Sequence, residues 1–204
     1  IPQKTGHKVK LITDQKNITQ KLHEKDIRFR ELFENIGSGV AIYNPISDGE
    51  NFVFTDFNPA SEKMDLKKRE EVIGAKVTDV FPGVKQFGLF DVFKEVYRTG
   101  EPQSHPISLY QDDNLTGWRD NNVFKLPSGE IVAVYDDRTE QKKFEQALRR
   151  EKEFIDWALN AQQDTFFLFD PHTGKAARWN KAFVETSGYS DEEISELPAP
   201  ATYY

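Results

Sequence analysis

One segment of this chain occurs twice, and that repetition limits what the chain can fold into more than any other feature. In the first copy Asn44-Pro45 follows an apolar run, Asn58-Pro59-Ala60 follows a second, and Glu70-Glu71-Val72 comes later. In the second copy Asp170-Pro171 follows Phe166-Phe167-Leu168-Phe169, and Asn180-Lys181-Ala182 and Glu192-Glu193-Ile194 come after it. Asn58 to Glu71 and Asn180 to Glu193 both span 13 positions, so these stretches run in register. Pro45 to Asn58 is 13 positions but Pro171 to Asn180 only 9, which places a length change in a turn. An offset of 122 to 126 residues is too long for a solenoid and fits tandem copies of one small domain. In 204 residues, one whole copy and a second cut short at about 45 residues are expected.

Between residues 13 and 36 the pattern is helical. Leu11, Ile18, Leu22, Phe29, Leu32 and Ile36 follow steps of three and four, with Gln15 and Lys25 interrupting a coiled-coil-like seam. Packing of this helix on its own domain is the alternative. Gly37 and Gly39 then stop it. Val40 and Ile42 mark a strand, Asn44-Pro45 and Asp48-Gly49 turns, and Phe52-Val53-Phe54 a second strand. Short helices are expected near 58–64 and 67–73. Leu89, Phe90, Phe93, Val96 and Tyr97 form the apolar face of a longer helix ending at Gly100. Strand-like runs near 104–111, 116–126 and 130–136 follow. The order β-β-α-α-α-β-β-β implies an α+β architecture, an antiparallel sheet with helices on one face.

A connector helix begins at Asp137, with Glu140 three residues on to complete a capping box. Phe144, Ala147, Leu148, Glu151, Phe154, Ile155 and Ala158 keep a roughly heptad stripe along it, and Ser190 with Glu193 forms a second box.

These residues resemble the PAS (sensory box) family over about 28–140 and again over about 154–204. Asn58-Pro59-Ala60 through Ile73-Gly74 is similar to the family's first helices, and Leu126-Pro127-Ser128-Gly129-Glu130 to its last hairpin. Asp137-Arg138-Thr139 resembles its Asp-x-Thr exit motif, with Arg138 departing from the usual apolar residue. Gly188-Tyr189-Ser190-Asp191-Glu192-Glu193-Ile194 is similar to a common helix opening of the family. The resemblance implies a five-stranded antiparallel sheet cupping short helices, in dimeric prokaryotic sensors that control a kinase or cyclase. It divides the chain into an N-terminal amphipathic helix (1–36), a PAS domain (37–138), a signalling helix (139–160) and a truncated second PAS domain (161–204). A cytoplasmic homodimer that relays ligand or redox state to an output domain is expected. A ligand-free scaffold of the same fold is the alternative.

The relay is assigned to Asp137, Thr139 and Glu140: the side chains of Asp137 and Thr139 can bond both the sheet's end and the first free amides of the connector, and Glu140 completes the capping box. An ordinary helix cap is the bland reading of the same residues. The candidate pocket is assigned to Ile42, Phe54, Phe90, Phe93, Tyr97, Leu109, Trp118, Asp120, Asn122 and Val134. An aromatic stripe at helical spacing is also what a plain core gives. Asp120 and Asn122 share a strand face with Trp118 and Phe124. Pointing inward they need polar partners; a bulge would turn them outward. Haem is not expected, since the family's helix histidine has no counterpart in 84–98, and His105 is expected on the surface. Non-covalent flavin or a small metabolite stays open.

Enzyme chemistry finds no support. His23-Glu24 lacks the continuation of a phosphoacceptor box, and no phosphate loop, zinc spacing or nucleophile elbow occurs. The absence of cysteine excludes disulfides, thiolate metal sites and cysteinyl adducts. A net charge of −7 disfavours nucleic acid, and no apolar run approaches the ~20 residues that span a bilayer. No basic n-region followed by an apolar h-region opens the sequence, so no secretory signal is expected.

Overall fold

A computed structural model describes residues 4–196, with side chains from residue 19 onward. The chain divides into two compact units between Glu140 and Gln141.

The first unit opens with helix α1 (Lys4–Asn35), which starts earlier than the apolar pattern predicts. Leu11, Gln15 and Ile18 of the expected seam lie outside the described side chains, while Leu22, Phe29 and Leu32 are exposed. Strands β1 (Gly39–Ile46) and β2 (Asn51–Phe57) follow. Five helices come next: α2 (Pro59–Asp65), α3 (Arg69–Val72), α4 (Val77–Val80), α5 (Val84–Phe87) and α6 (Leu89–Thr99). The single turns α4 and α5 were not expected. Four residues are too few to carry a helical period, and Pro82-Gly83 between them reads as a plain break. Strands β3 (Gln103–Gln111), β4 (Thr116–Lys125) and β5 (Ile131–Asp137) complete the unit. All five strands form one antiparallel sheet in the order β2-β1-β5-β4-β3.

The two faces of this sheet are covered differently. On the inner face, Phe52 of β2 meets Phe90 and Phe93 of α6, and Phe54, Phe57 and Val96 belong to the same core, all at most 5% exposed. Edge-on ring contacts such as Phe52–Phe93 at 5.4 Å close this core. On the outer face, Phe33 near the end of α1 joins Ile42 and Val132 in a smaller apolar cluster that Val40, Phe124, Leu126 and Val134 extend. Both faces of the central strands therefore carry apolar side chains.

Helix α7 (Thr139–Asn160) leads into the second unit. There β6 (Phe167–Phe169) and β7 (Ala176–Trp179) form an antiparallel pair, followed by α8 (Lys181–Ser187) and α9 (Asp191–Glu196). Among the described residues of this unit Phe183 and Ile194 are the buried apolar ones, and Phe183 stacks on Phe167 at 4.7 Å. The expected second box forms: Ser190 N–H donates to Glu193 Oε2 at 2.8 Å and Glu193 N–H to Ser190 Oγ at 3.3 Å. No helix among the described residues is long and apolar enough to cross a membrane.

Candidate functional site

Strand pairing sets which side chains meet under the helices. Across the sheet, His105 of β3 stands opposite Asn121 of β4, and Asn121 opposite Tyr135 of β5. All three are buried on the inner face, with Arg119 and Val123 two places from Asn121 on the same side. A register shift in β3 between His105 and Ser108 lets His105 and Tyr110 both point inward although their numbers differ in parity. Together with Tyr43 of β1 and residues of α2, α4, α5 and α6, these strands line a cavity of about 50 Å³. Val77, Phe81, Val84 and Leu89 line one side of it, and Asp65, Arg119, Asn121 and Tyr135 supply polar groups.

The ten residues expected to line a pocket are not brought together there. Ile42 and Val134 belong to the outer apolar cluster, Leu109 is exposed, and Trp118 is half-buried on the outward-facing parity of β4. Asp120 and Asn122 point outward with it. Asp120 pairs with Arg138 at 3.6 Å, and Asn122 Oδ1 accepts from Ser104 Oγ at 2.6 Å. The reason is the period of two: the expected face is one residue out of phase, so each of these side chains lies on the other side of the sheet. Phe54, Phe90 and Phe93 are inside, in the packed core, but do not line the cavity. Tyr97 packs at the edge of that core, under the Lys125 ammonium at 4.4 Å, with its hydroxyl donating to Asp48 at 3.3 Å. His105 is not a surface residue. It is 8% exposed, its ring lies 4.5 Å from Phe87, and its Nδ1 has no hydrogen-bond partner.

The polar wall of the cavity is a network that sequence reading missed. Arg119 Nη2 donates to the Met64 carbonyl at 2.8 Å and meets Asp65 Oδ1 at 3.3 Å. Its Nη1 meets Asp137 Oδ2 at 3.0 Å. The Tyr135 hydroxyl donates to the other oxygen of Asp65. Burial pushes the Asp65 carboxyl above the ordinary carboxylate range, against the hydrogen bonds from Tyr135 and Arg119. Burial likewise pushes the Tyr135 phenol up, reinforced by the Asp65 charge. A motif search has no access to this cluster, because Asp65 and Arg119 lie 54 positions apart.

The residues assigned to the relay sit at the outer end of that network. Asp137 Oδ1 accepts from the Thr139 amide at 2.8 Å, and Thr139 Oγ1 accepts from the Trp118 amide at 2.9 Å. Arg138 N–H donates to the Trp118 carbonyl at 2.9 Å, so both residues that enter the helix are tied to β4. Glu140 is the second residue of α7. Partial burial raises the Asp137 carboxyl, but hydrogen bonds from Thr139 and the Arg119 guanidinium outweigh it and hold it below its ordinary value. Gly117 makes room for this arrangement: a Cβ there would come within 2.4 Å of Arg119 Nη1 and 3.0 Å of Thr139 Oγ1. Arg138, the departure from the exit motif, lies between the opposed carboxylates Asp120 and Asp136, 3.6 and 3.2 Å from them. Like charges directly opposite on a sheet repel, and this guanidinium offsets them.

The repeat reappears as bonding. Asn58 Oδ1 accepts from the amides of Val40 and Ser61, both at 2.9 Å. Its Nδ2 donates to the carbonyls of Phe33 and Ser38 at 3.1 and 3.0 Å. In the second unit Asn180 Oδ1 accepts from Phe166 and Phe183, at 2.9 and 3.0 Å. Its Nδ2 donates to Leu159 and Asp164, at 3.0 and 2.8 Å. Both asparagines are at most 1% exposed, and each ties a preceding helix, a strand start and a following helix to one amide.

Residues 27–64 match the family described as PAS domain. No curated protein matches the chain. Among solved structures, a domain of the sensory box sensor histidine kinase/response regulator from Geobacter sulfurreducens is 21% identical, with a TM-score of 0.46 over 57% of this chain and 96% of that one. The PAS domain of a protein from Colwellia psychrerythraea is 17% identical, with a TM-score of 0.43 over 55% of this chain and 96% of that one. A sensory box histidine kinase/response regulator from Burkholderia thailandensis is 16% identical, with a TM-score of 0.42 over 63% of this chain and 97% of that one.

Proposed function

We propose, from the premise that this chain contains a PAS domain, that it is a non-catalytic sensory module of a signal-transduction protein of the sensor histidine kinase or diguanylate cyclase type. It relays the state of the cavity to an output domain through α7. The observation that carries this reading is the position of Arg119. One guanidinium stands in the cavity wall, bonds Asp65 there, and bonds Asp137, which holds the first amide of the connector. A ligand or redox change that displaces Arg119 alters how Asp137 and Thr139 anchor α7.

In this reading residues 37–138 sense, 139–160 carry the signal, and 161–204 begin a second copy. The matching bonds of Asn58 and Asn180 support that division. Residues 1–36 and α7 supply the apolar surface for a cytoplasmic homodimer, and the exposure of Leu22, Phe29, Phe144 and Leu148 supports that role. In a dimer, a tilt at the start of α7 becomes a change of crossing angle.

The test is the double substitution Asp137→Ala and Thr139→Ala in a protein that carries its output domain. The first unit is expected to stay folded while output no longer follows input; an unchanged response sinks the relay. A second reading, a ligand-free scaffold, is favoured by the dense aromatic packing around so small a cavity. Native mass spectrometry of freshly purified protein separates the two, since a retained extra mass belongs to the sensor.

A further inference from the structure

Arg119 is one guanidinium between two carboxyl groups. Its Nη2 lies 3.3 Å from Asp65 Oδ1 and its Nη1 3.0 Å from Asp137 Oδ2. When both carboxyls are ionised, the trio carries a surplus negative charge. The Asp65 side chain is 8% exposed and that of Asp137 35%, so water stabilises the second far better. A charge shut off from water is relieved most readily by a proton, and here that proton belongs on the more buried carboxyl, which also has the longer contact with the guanidinium.

The other groups around Asp65 leave the proton to it. Tyr43 of β1, Tyr110 of β3 and Tyr135 of β5 line the same cavity, and burial pushes each phenol up, so all three stay neutral. The residues that α4, α5 and α6 place in that wall, Val77, Val84, Phe87 and Leu89, are apolar. On α2 itself Glu62 accepts from the Arg69 amide and Lys63 is exposed, and near the end of α1 Arg30, Glu31 and Glu34 are exposed. Arg119 of β4 and Asp137 of β5 are the charged groups that act on Asp65 across the sheet, and the Asp137 charge adds to the effect of burial.

The two protonation states differ at the start of α7. With Asp65 ionised, both carboxylates draw on Arg119. With Asp65 protonated, the guanidinium charge is left to Asp137, whose other oxygen accepts from the Thr139 amide at 2.8 Å. Resting on the relay proposed above, we infer that Asp65 is a proton-operated latch: losing its proton, it draws Arg119 inward from Asp137 and loosens the start of α7, and regaining it returns Arg119 to Asp137.

The experiment is an NMR titration of the whole chain from about pH 3 to about pH 8, following the carboxyl carbons of Asp65 and Asp137 and the Thr139 amide. The Thr139 amide is expected to move in two steps, one below 3.8 with Asp137 and one above 3.8 with Asp65. Asp65→Asn, neutral at every pH, is expected to lose the upper step and keep the lower one. Arg119→Lys keeps the charge without the two-pronged donor, so Asp65 is expected still to titrate while the upper step at Thr139 is lost. If Asp65→Asn does not fold, Tyr135→Phe removes a hydrogen bond that favours the ionised carboxyl, and the Asp65 midpoint and the upper Thr139 step are expected to move together to higher pH.

A Thr139 amide that moves with Asp137 alone overturns the latch. So does an upper step that persists in Asp65→Asn, or one undiminished in Arg119→Lys, which would mark a field acting through space only. The output response of the double substitution Asp137→Ala and Thr139→Ala reads the relay separately. Two steps at Thr139 with that response unchanged keep the latch and sink the relay; a single step with the response abolished keeps the relay and sinks the latch.

Discussion

Arg119 and Asp137 stand directly opposite one another on β4 and β5, with Nη1 and Oδ2 3.0 Å apart, and this pair joins the interior of the first unit to the start of α7. Arg119 also holds Asp65, and both those side chains are under 10% exposed. Removing the guanidinium therefore leaves a buried carboxylate without its countercharge.

Arg119→Met is expected to destabilise the first unit by about 3–5 kcal/mol, the usual cost of breaking a buried ion pair from one side. Lysine carries the charge but lacks the two-pronged donor that spans Asp65 and Asp137, so Arg119→Lys should fall between. Urea denaturation measures both. Hydrogen exchange at the Thr139 amide should quicken in each, because Asp137 loses the group that orients it.

Thr139→Val keeps the shape of the side chain and removes the acceptor of the Trp118 amide. A loss of about 1 kcal/mol is expected, with faster exchange at Trp118. Thr139→Ser keeps the oxygen and should retain most of the protection. Equal exchange in the two variants would show that the hydroxyl does not hold β4.

The two carboxylates of the network respond to pH with opposite sign. Asp137 is held below its ordinary value of 3.8, so its stabilising contribution is present above that pH and is lost as pH falls through the lower folded value. Asp65 is held above 3.8, so the folded state binds more protons, and stability falls as pH rises from 3.8 through the raised value. In melting curves taken against pH, Asp137→Asn should flatten the acid limb and Asp65→Asn the limb above it. A common effect of both substitutions would contradict these assignments.

Asn58→Ala strands two amides and two carbonyls at a position that is fully buried. A loss of about 3 kcal/mol is expected in the first unit, from the desolvation cost of the orphaned groups. Asn180→Ala removes the equivalent four bonds from the second unit. The sites lie in separate units, so each substitution should lower the stability of its own unit alone, resolved by residue-level hydrogen exchange.

Local sequence was enough to read the succession of the strands and longer helices along the chain, the repeat, and the Asp137–Thr139 pair that opens α7. These depend on local physics: turn residues break the chain, apolar spacing sets helix or strand, and Asp137 and Thr139 cap amides a few positions away. Which face of the sheet closes on the helices was left to contacts between distant parts of the chain. On β4 both parities mix polar with apolar residues, Trp118, Asp120, Asn122 and Phe124 against Arg119, Asn121 and Val123, so alternation does not distinguish inside from outside. The choice is made by partners distant in sequence. Arg119 turns inward because Asp65 and Asp137 await it there, Asp120 turns outward to Arg138, and Phe33 covers the face on which Ile42 and Val132 lie. A shift in β3 then brings His105 beneath the helices, which no count along the chain reveals.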